Sequence, residues 1–124
     1  MGGDWRRLCK AAGLTVEGDH VAVAVDDRRR HRVSITEDSS GYRLEAIVAR
    51  RAVVSRVADA PIRVWLRNRE VQLVGFRIDR RGRLAAEALV PKVGLSAEEF
   101  RLYVFTVAVE ADRFEFALTG RDAE

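Results

Sequence analysis

The chain has 124 residues, 48% hydrophobic and 33% charged, enough to bury a core without disulfides or metals. Its 22 basic residues against 19 acidic ones leave a net charge of +3, too narrow an excess to mark a nucleic-acid partner by composition. No apolar run approaches the roughly 20 residues of a membrane span. The opening MGGDWRRLCK lacks the apolar centre of a secretory signal, and the lone Cys9 has no disulfide partner, so we expect a cytoplasmic protein.

Residues 4–12 predict a short first helix, capped by Asp4, with Trp5, Leu8, Cys9 and Ala12 on one face and Gly13 as its stop. Val21, Val23 and Val25 then alternate as in a half-buried strand. Asp26, Asp27 and the arginines after them predict a polar turn. Val33 and Ile35 mark a second strand, and Tyr42, Leu44, Ala46 and Val48 mark a third beyond the turn signal DSSG. The segment after it can continue this third strand as far as Val54 before turning. A middle helix is expected from Ala60 to about Arg69, capped by Asp59 with Pro61 in its first turn. Its spacing sends Ile62, Trp65 and Leu66 inward and Arg63, Arg67 and Asn68 outward.

VQLVGFRID and LAAEALVP predict two further strands joined at Gly82. The last segment, Ser96 to Gly120, predicts one long helix. Ser96 and Glu99 form a capping box, and Gly120 stands at the C′ position. Phe100, Tyr103, Val107, Ala111, Phe114 and Leu118 draw one apolar stripe, while Leu102, Phe105, Val109 and Phe116 lie off it and are equally apolar. The expected fold is α+β: a single antiparallel sheet of about five strands with three helices, in the order α-β-β-β-α-β-β-α. Residues 1–124 are read as one domain.

The sequence shows no constellation for catalysis, cofactor or metal. His20 and His31 have no Cys or second His at ligand spacing. Cys9 reads as a small core residue. Glu98 and Glu99 suit the first turn of a helix, and Glu110, Asp112 and Glu115 read as its solvated side. GFRIDRRG is no phosphate loop, because no helix opens after its last glycine. The run RRRHR offers Arg28, Arg29, Arg30 and Arg32 as nucleic-acid contacts. With acids before it and no interleaved aromatics, it reads rather as a solvated hairpin turn.

Trp65, Leu66, Asn68 and Arg69 precede a strand, Asp79 and Gly82 frame a hairpin turn, and Gly94-Leu95 introduces a helix carrying Val109-Glu110-Ala111-Asp112. In these features the segment from Asp59 to Asp122 resembles bacterial proteins of the YbjN family, which are grouped with the type III secretion chaperone-like fold. The resemblance implies a small dimeric protein that binds polypeptide segments and performs no catalysis.

The unclaimed face of the last helix can be covered by the first helix, by a second copy or by a client peptide. We expect a homodimer using the surface around Ile62, Trp65, Leu73 and Phe76, with Phe105 and Val109 serving that interface or the client surface. For Trp65 the alternatives are an inward anchor and an interface residue. The competing function is a nucleic-acid-binding regulator using the arginine-rich hairpin.

Overall fold

The computed structural model describes residues 4–26 and 29–119. In chain order these form α1 (Asp4–Ala11), β1 (Thr15–Glu17), β2 (His20–Ala24), β3 (Arg30–Glu37), β4 (Gly41–Ala49), α2 (Arg51–Val54), α3 (Ala60–Glu70), β5 (Gly75–Ile78), β6 (Leu84–Pro91) and α4 (Ala97–Thr119). Among the described residues the strands make one six-stranded sheet in the order β1-β2-β3-β4-β6-β5, with every neighbouring pair antiparallel. The expected α+β class and meander are present, with one more strand and one more helix than anticipated. The roles expected of Gly120, Asp27, Arg28 and the Asp4 side chain fall outside the described residues.

Alternation builds the sheet. Val21 pairs with Val33, Ile35 with Leu44, and Tyr42 with Val90, so these side chains share the face that α4 covers. The stripe expected of α4 is buried there: Phe100, Val107, Ala111 and Phe114 are all in the core, joined by Val104 and Ala108. Tyr42 meets Phe100 edge-on at 5.7 Å, and Phe76 meets Phe114 edge-on at 5.0 Å. Local chemistry sets the ends. Ser96 Oγ accepts from the Glu99 N–H at 3.1 Å, while Glu99 accepts from the Ser96 N–H at 3.0 Å, which completes the expected capping box. Asp79 accepts from the N–H groups of Arg81 and Arg83 at 2.9 Å each, and Gly82 takes φ 80°, so the turn before β6 forms as read. At the β3–β4 turn, Gly41 is required by close approach, because a Cβ there would collide with the Val90 carbonyl.

Two expectations about elements need correction. The third strand does not reach Val54; it ends at Ala49, and residues 51–54 close into α2. Ala49 pairs with Leu84, the first residue of β6, and the β3 partners end earlier, at Glu45. Beyond that point no strand remains to satisfy extended backbone, so the chain bonds to itself. The added strand β1 pairs residue by residue with β2 at the sheet edge, where Thr15-Val16-Glu17 is too short to show a periodic signal.

The other face of the sheet carries polar and charged side chains. Arg77 donates to Glu87 and to Glu45 at 3.1 Å each, and Arg43 lies 3.8 Å from Glu87. Ile47 and Leu89 stand exposed on this face.

Candidate functional site

The middle helix begins and ends as expected, but its face is inverted. Ala60 and Val64 are buried, whereas Ile62 is 61% exposed, Trp65 59%, and Leu66 is also open to solvent. The inward expectation for Ile62, Trp65 and Leu66 is therefore wrong. The helix packs on β5 at the sheet edge, where small residues allow close approach and polar groups do the docking. Asn68, expected to face outward, accepts from the Phe76 N–H at 2.7 Å and donates to the Phe76 carbonyl at 2.9 Å. Arg63 donates to the Ala117 carbonyl at 2.9 Å, and the Arg67 guanidinium lies over the Phe114 ring at 4.9 Å. Arg69 stacks at 4.9 Å on the outward Trp65. Asp59 occupies the N-cap position without a side-chain cap bond.

The residues expected to make one partner surface divide. Ile62, Trp65 and Leu73 are exposed near the β5 edge, and Leu73 adopts φ 72° in the connection after α3. Phe76 is only 4% exposed and packs against Phe114, so its placement in a partner surface is corrected: its parity in β5 directs it to the core. Phe105 is 41% exposed and Leu102 more so, while Val109 is half-buried. Phe105 lies at the opposite end of the sheet, lining a shallow cleft of about 220 Å³ with Leu14, Thr15, Ala22, Val23 and Arg101. Arg101 donates to the Ala12 carbonyl at 3.1 Å and so holds α4 to the end of α1. The molecule thus shows two apolar surfaces at opposite sheet edges, one on α3 and one on α4.

The hairpin-turn expectation holds for only part of the described arginine run: Arg29 lies in the β2–β3 connection, where its carbonyl accepts from the Val25 N–H at 2.9 Å, but the rest continues into the strand. Arg30, His31 and Arg32 are in β3, with Arg30 and Arg32 directed to the open face and His31 to the helix-covered face opposite Val23. Arg29 binds Asp26 at 2.8 Å and Asp112 at 3.3 Å, so its charge is spent within the protein. His31 Nε2 lies 3.3 Å from Asp112 Oδ1 and 3.9 Å from Glu115 Oε1. Asp112, expected on a solvated side, is 7% exposed, and Glu115 is half-buried. Burial pushes the Glu115 carboxyl above its ordinary value, and the Asp112 charge adds to that shift against opposing effects from His31 and Arg29. The sequence held a signal for this group. His31 shares the period of Val33 and Ile35, and the buried row Val104-Ala108 continues along α4 as Asp112 and Glu115.

Cys9 is fully buried, and burial raises its thiol from 9.0 to about 11, with a smaller opposing effect of Arg6. At neutral pH it is a packed thiol and not a nucleophile. No described helix is long and apolar enough to cross a membrane.

No protein-family model matches the chain, and no curated protein matches it in sequence. A solved structure, the crystal structure of the ExsC–ExsE complex, is similar to it with a TM-score of 0.59 and 18% identity, covering 95% of this chain and 96% of that one. At that identity the likeness shows the fold, the type III secretion chaperone-like α+β arrangement.

Proposed function

We propose that this chain is a non-enzymatic, chaperone-like module that captures a segment of a partner polypeptide and works as a homodimer. The observation that carries the reading is the inverted α3, which holds Arg63 and Arg67 against the protein and presents Ile62, Trp65 and Leu66 to solvent. Large apolar side chains gathered on one helix face mark an interaction surface more strongly than the same residues scattered singly. The similar solved structure is itself a complex of two proteins, which favours a protein partner. We assign Ile62, Trp65, Leu66 and Leu73 to self-association. Phe105, beside the β1–β2 edge, and Leu102 and Val109, one turn to either side of it on α4, are assigned to the client. The YbjN-like resemblance over Asp59 to Asp122 belongs to this reading, as does a single domain over residues 1–124 and a cytoplasmic location.

Light scattering across a concentration series tests the dimer. Wild type should approach twice the chain mass, and Trp65→Asp should remain a folded monomer. Suppression of aggregation of a heat-denatured test protein examines the client surface: Phe105→Asp should lose it while keeping the dimer. A wild-type chain that stays monomeric at every concentration ends the dimer assignment, and one that suppresses no aggregation ends the chaperone reading. Nucleic-acid binding through Arg30 and Arg32 is the competing reading, and salt separates the two. Phosphate-driven binding weakens steeply as salt rises, whereas apolar capture does not.

A further inference from the structure

We propose that His31, Asp112 and Glu115 form a site for one divalent transition-metal ion of the zinc class, which ties β3 to the C-terminal half of α4. The proposal does not depend on the protein-binding reading, since these side chains face the interior between sheet and helix and not either apolar surface.

Geometry supports it first. One donor atom from each of the three residues lies within 4.8 Å of the other two. Metal bonds of about 2.0–2.2 Å to nitrogen and oxygen, set tetrahedrally, place neighbouring ligand atoms roughly 3.3–3.5 Å apart. The His31 Nε2 to Asp112 Oδ1 separation is already 3.3 Å, and Glu115 Oε1 at 3.9 Å needs only a small side-chain adjustment. The same 3.3 Å is long for a charge-assisted hydrogen bond, which prefers about 2.7–2.9 Å. The contact thus serves as a loose imidazole–carboxylate hydrogen bond and, at the same spacing, as one edge of a coordination tetrahedron.

The donor set and its surroundings agree. One imidazole nitrogen and two carboxylate oxygens suit a borderline ion such as Zn²⁺ better than Mg²⁺ or Ca²⁺, which favour oxygen alone. Two carboxylates converge on one imidazole, and the nearby Arg29 divides its guanidinium between Asp26 and Asp112. Arg29 approaches Asp112 through Oδ2, which leaves Oδ1 turned towards His31, as an outer partner of a metal-bound carboxylate would. Asp112 is buried, so a dication there would offset a real desolvation cost. The Glu115 side chain is 29% exposed, which gives the ion a path in and room for a water as a further ligand. The other histidine shows the contrast. His20 meets Glu17 through Nε2 at 3.4 Å and Asp19 through Nδ1 at 3.5 Å, so its two carboxylates lie on opposite ring nitrogens and cannot share an ion with it.

The test uses the full chain, stripped with a chelator and then titrated with zinc chloride by calorimetry and with cobalt(II) by visible absorption. One ion per chain, a raised melting temperature and a tetrahedral cobalt spectrum are expected. Glu115→Gln and His31→Gln should each weaken zinc binding by about tenfold or more, the scale seen even for outer partners of metal ligands. His20→Gln should bind as wild type does. If His31→Gln fails to fold, the half-exposed Glu115→Gln alone decides. No uptake by wild type overturns the proposal, and so does uptake unchanged in Glu115→Gln or lost instead in Cys9→Ser.

Discussion

Helices α3 and α4 look alike in sequence and behave in opposite ways. Both carry a capping signal and apolar residues at steps of three and four. In α4 the stripe from Phe100 to Phe114 is buried as its spacing requires. In α3 the large apolar residues face solvent, and Ala60, Val64 and the stem of Arg67 face the protein. The difference lies in what each helix lies against. Helix α4 crosses the covered face of β4, β6 and β3 and needs volume to fill the space, whereas α3 flanks the single short strand β5. At such an edge the unpaired backbone of β5 asks for hydrogen-bond partners, and Asn68 supplies them. An apolar moment locates a core face only when the core is the nearest apolar surface; on α3 it marks a surface for something else.

The largest effect that would break this comparison belongs to α4. Phe114 is buried between Phe76 and Arg67, so Phe114→Ala should cost about 3–5 kcal/mol in urea denaturation, the range for core aromatic truncation. A cost below about 1 kcal/mol would mean that α4 is not the core helix it is taken for. The docking of α3 comes next. Asn68→Ala removes both bonds to the Phe76 backbone and should cost about 1–3 kcal/mol, with faster hydrogen exchange at the Phe76 amide. An unchanged exchange rate there would show that α3 is held by packing alone.

The α4 cap should give a smaller effect. Ser96→Ala should cost about 1 kcal/mol, read by thermal melting at neutral pH. The bonds from Ser96 hold the Glu99 carboxyl below its ordinary value. Because that folded-state value is depressed, the stabilisation from ionised Glu99 is present above the ordinary glutamate range and is lost as pH falls through the folded one. Ser96→Ala keeps the backbone N–H bond to Glu99 and loses the hydroxyl one, so the gap to wild type should narrow only modestly in acid, and a gap constant with pH would show that the Ser96 hydroxyl does not help hold the Glu99 carboxylate.

The smallest effect on folding sharpens the comparison most. Trp65→Ala should change the stability of the monomer by no more than about 0.5 kcal/mol, as exposed substitutions do, and yet weaken self-association in sedimentation measurements. A large loss of monomer stability would return Trp65 to the core and equate the two helices after all.

What the sequence determined by itself was local. The capping box of Ser96 and Glu99, the Asp79–Gly82 turn, the alternation of β2 to β4 and the stripe of α4 all rest on bonds and periods within a few residues. The α+β class follows from their order. Tertiary structure decided the rest. Strand β1 exists because β2 offers it an edge, α2 because the partners of β4 run out, and α3 turned outward because β5 gave it hydrogen bonds in place of a pocket. His31 and Asp112 stand 81 positions apart, and their meeting depends on which sheet face each strand and helix presents. Backbone propensity and capping act within a turn or two of chain, whereas facing, partnering and the convergence of distant charges depend on surfaces that exist only once the chain has folded.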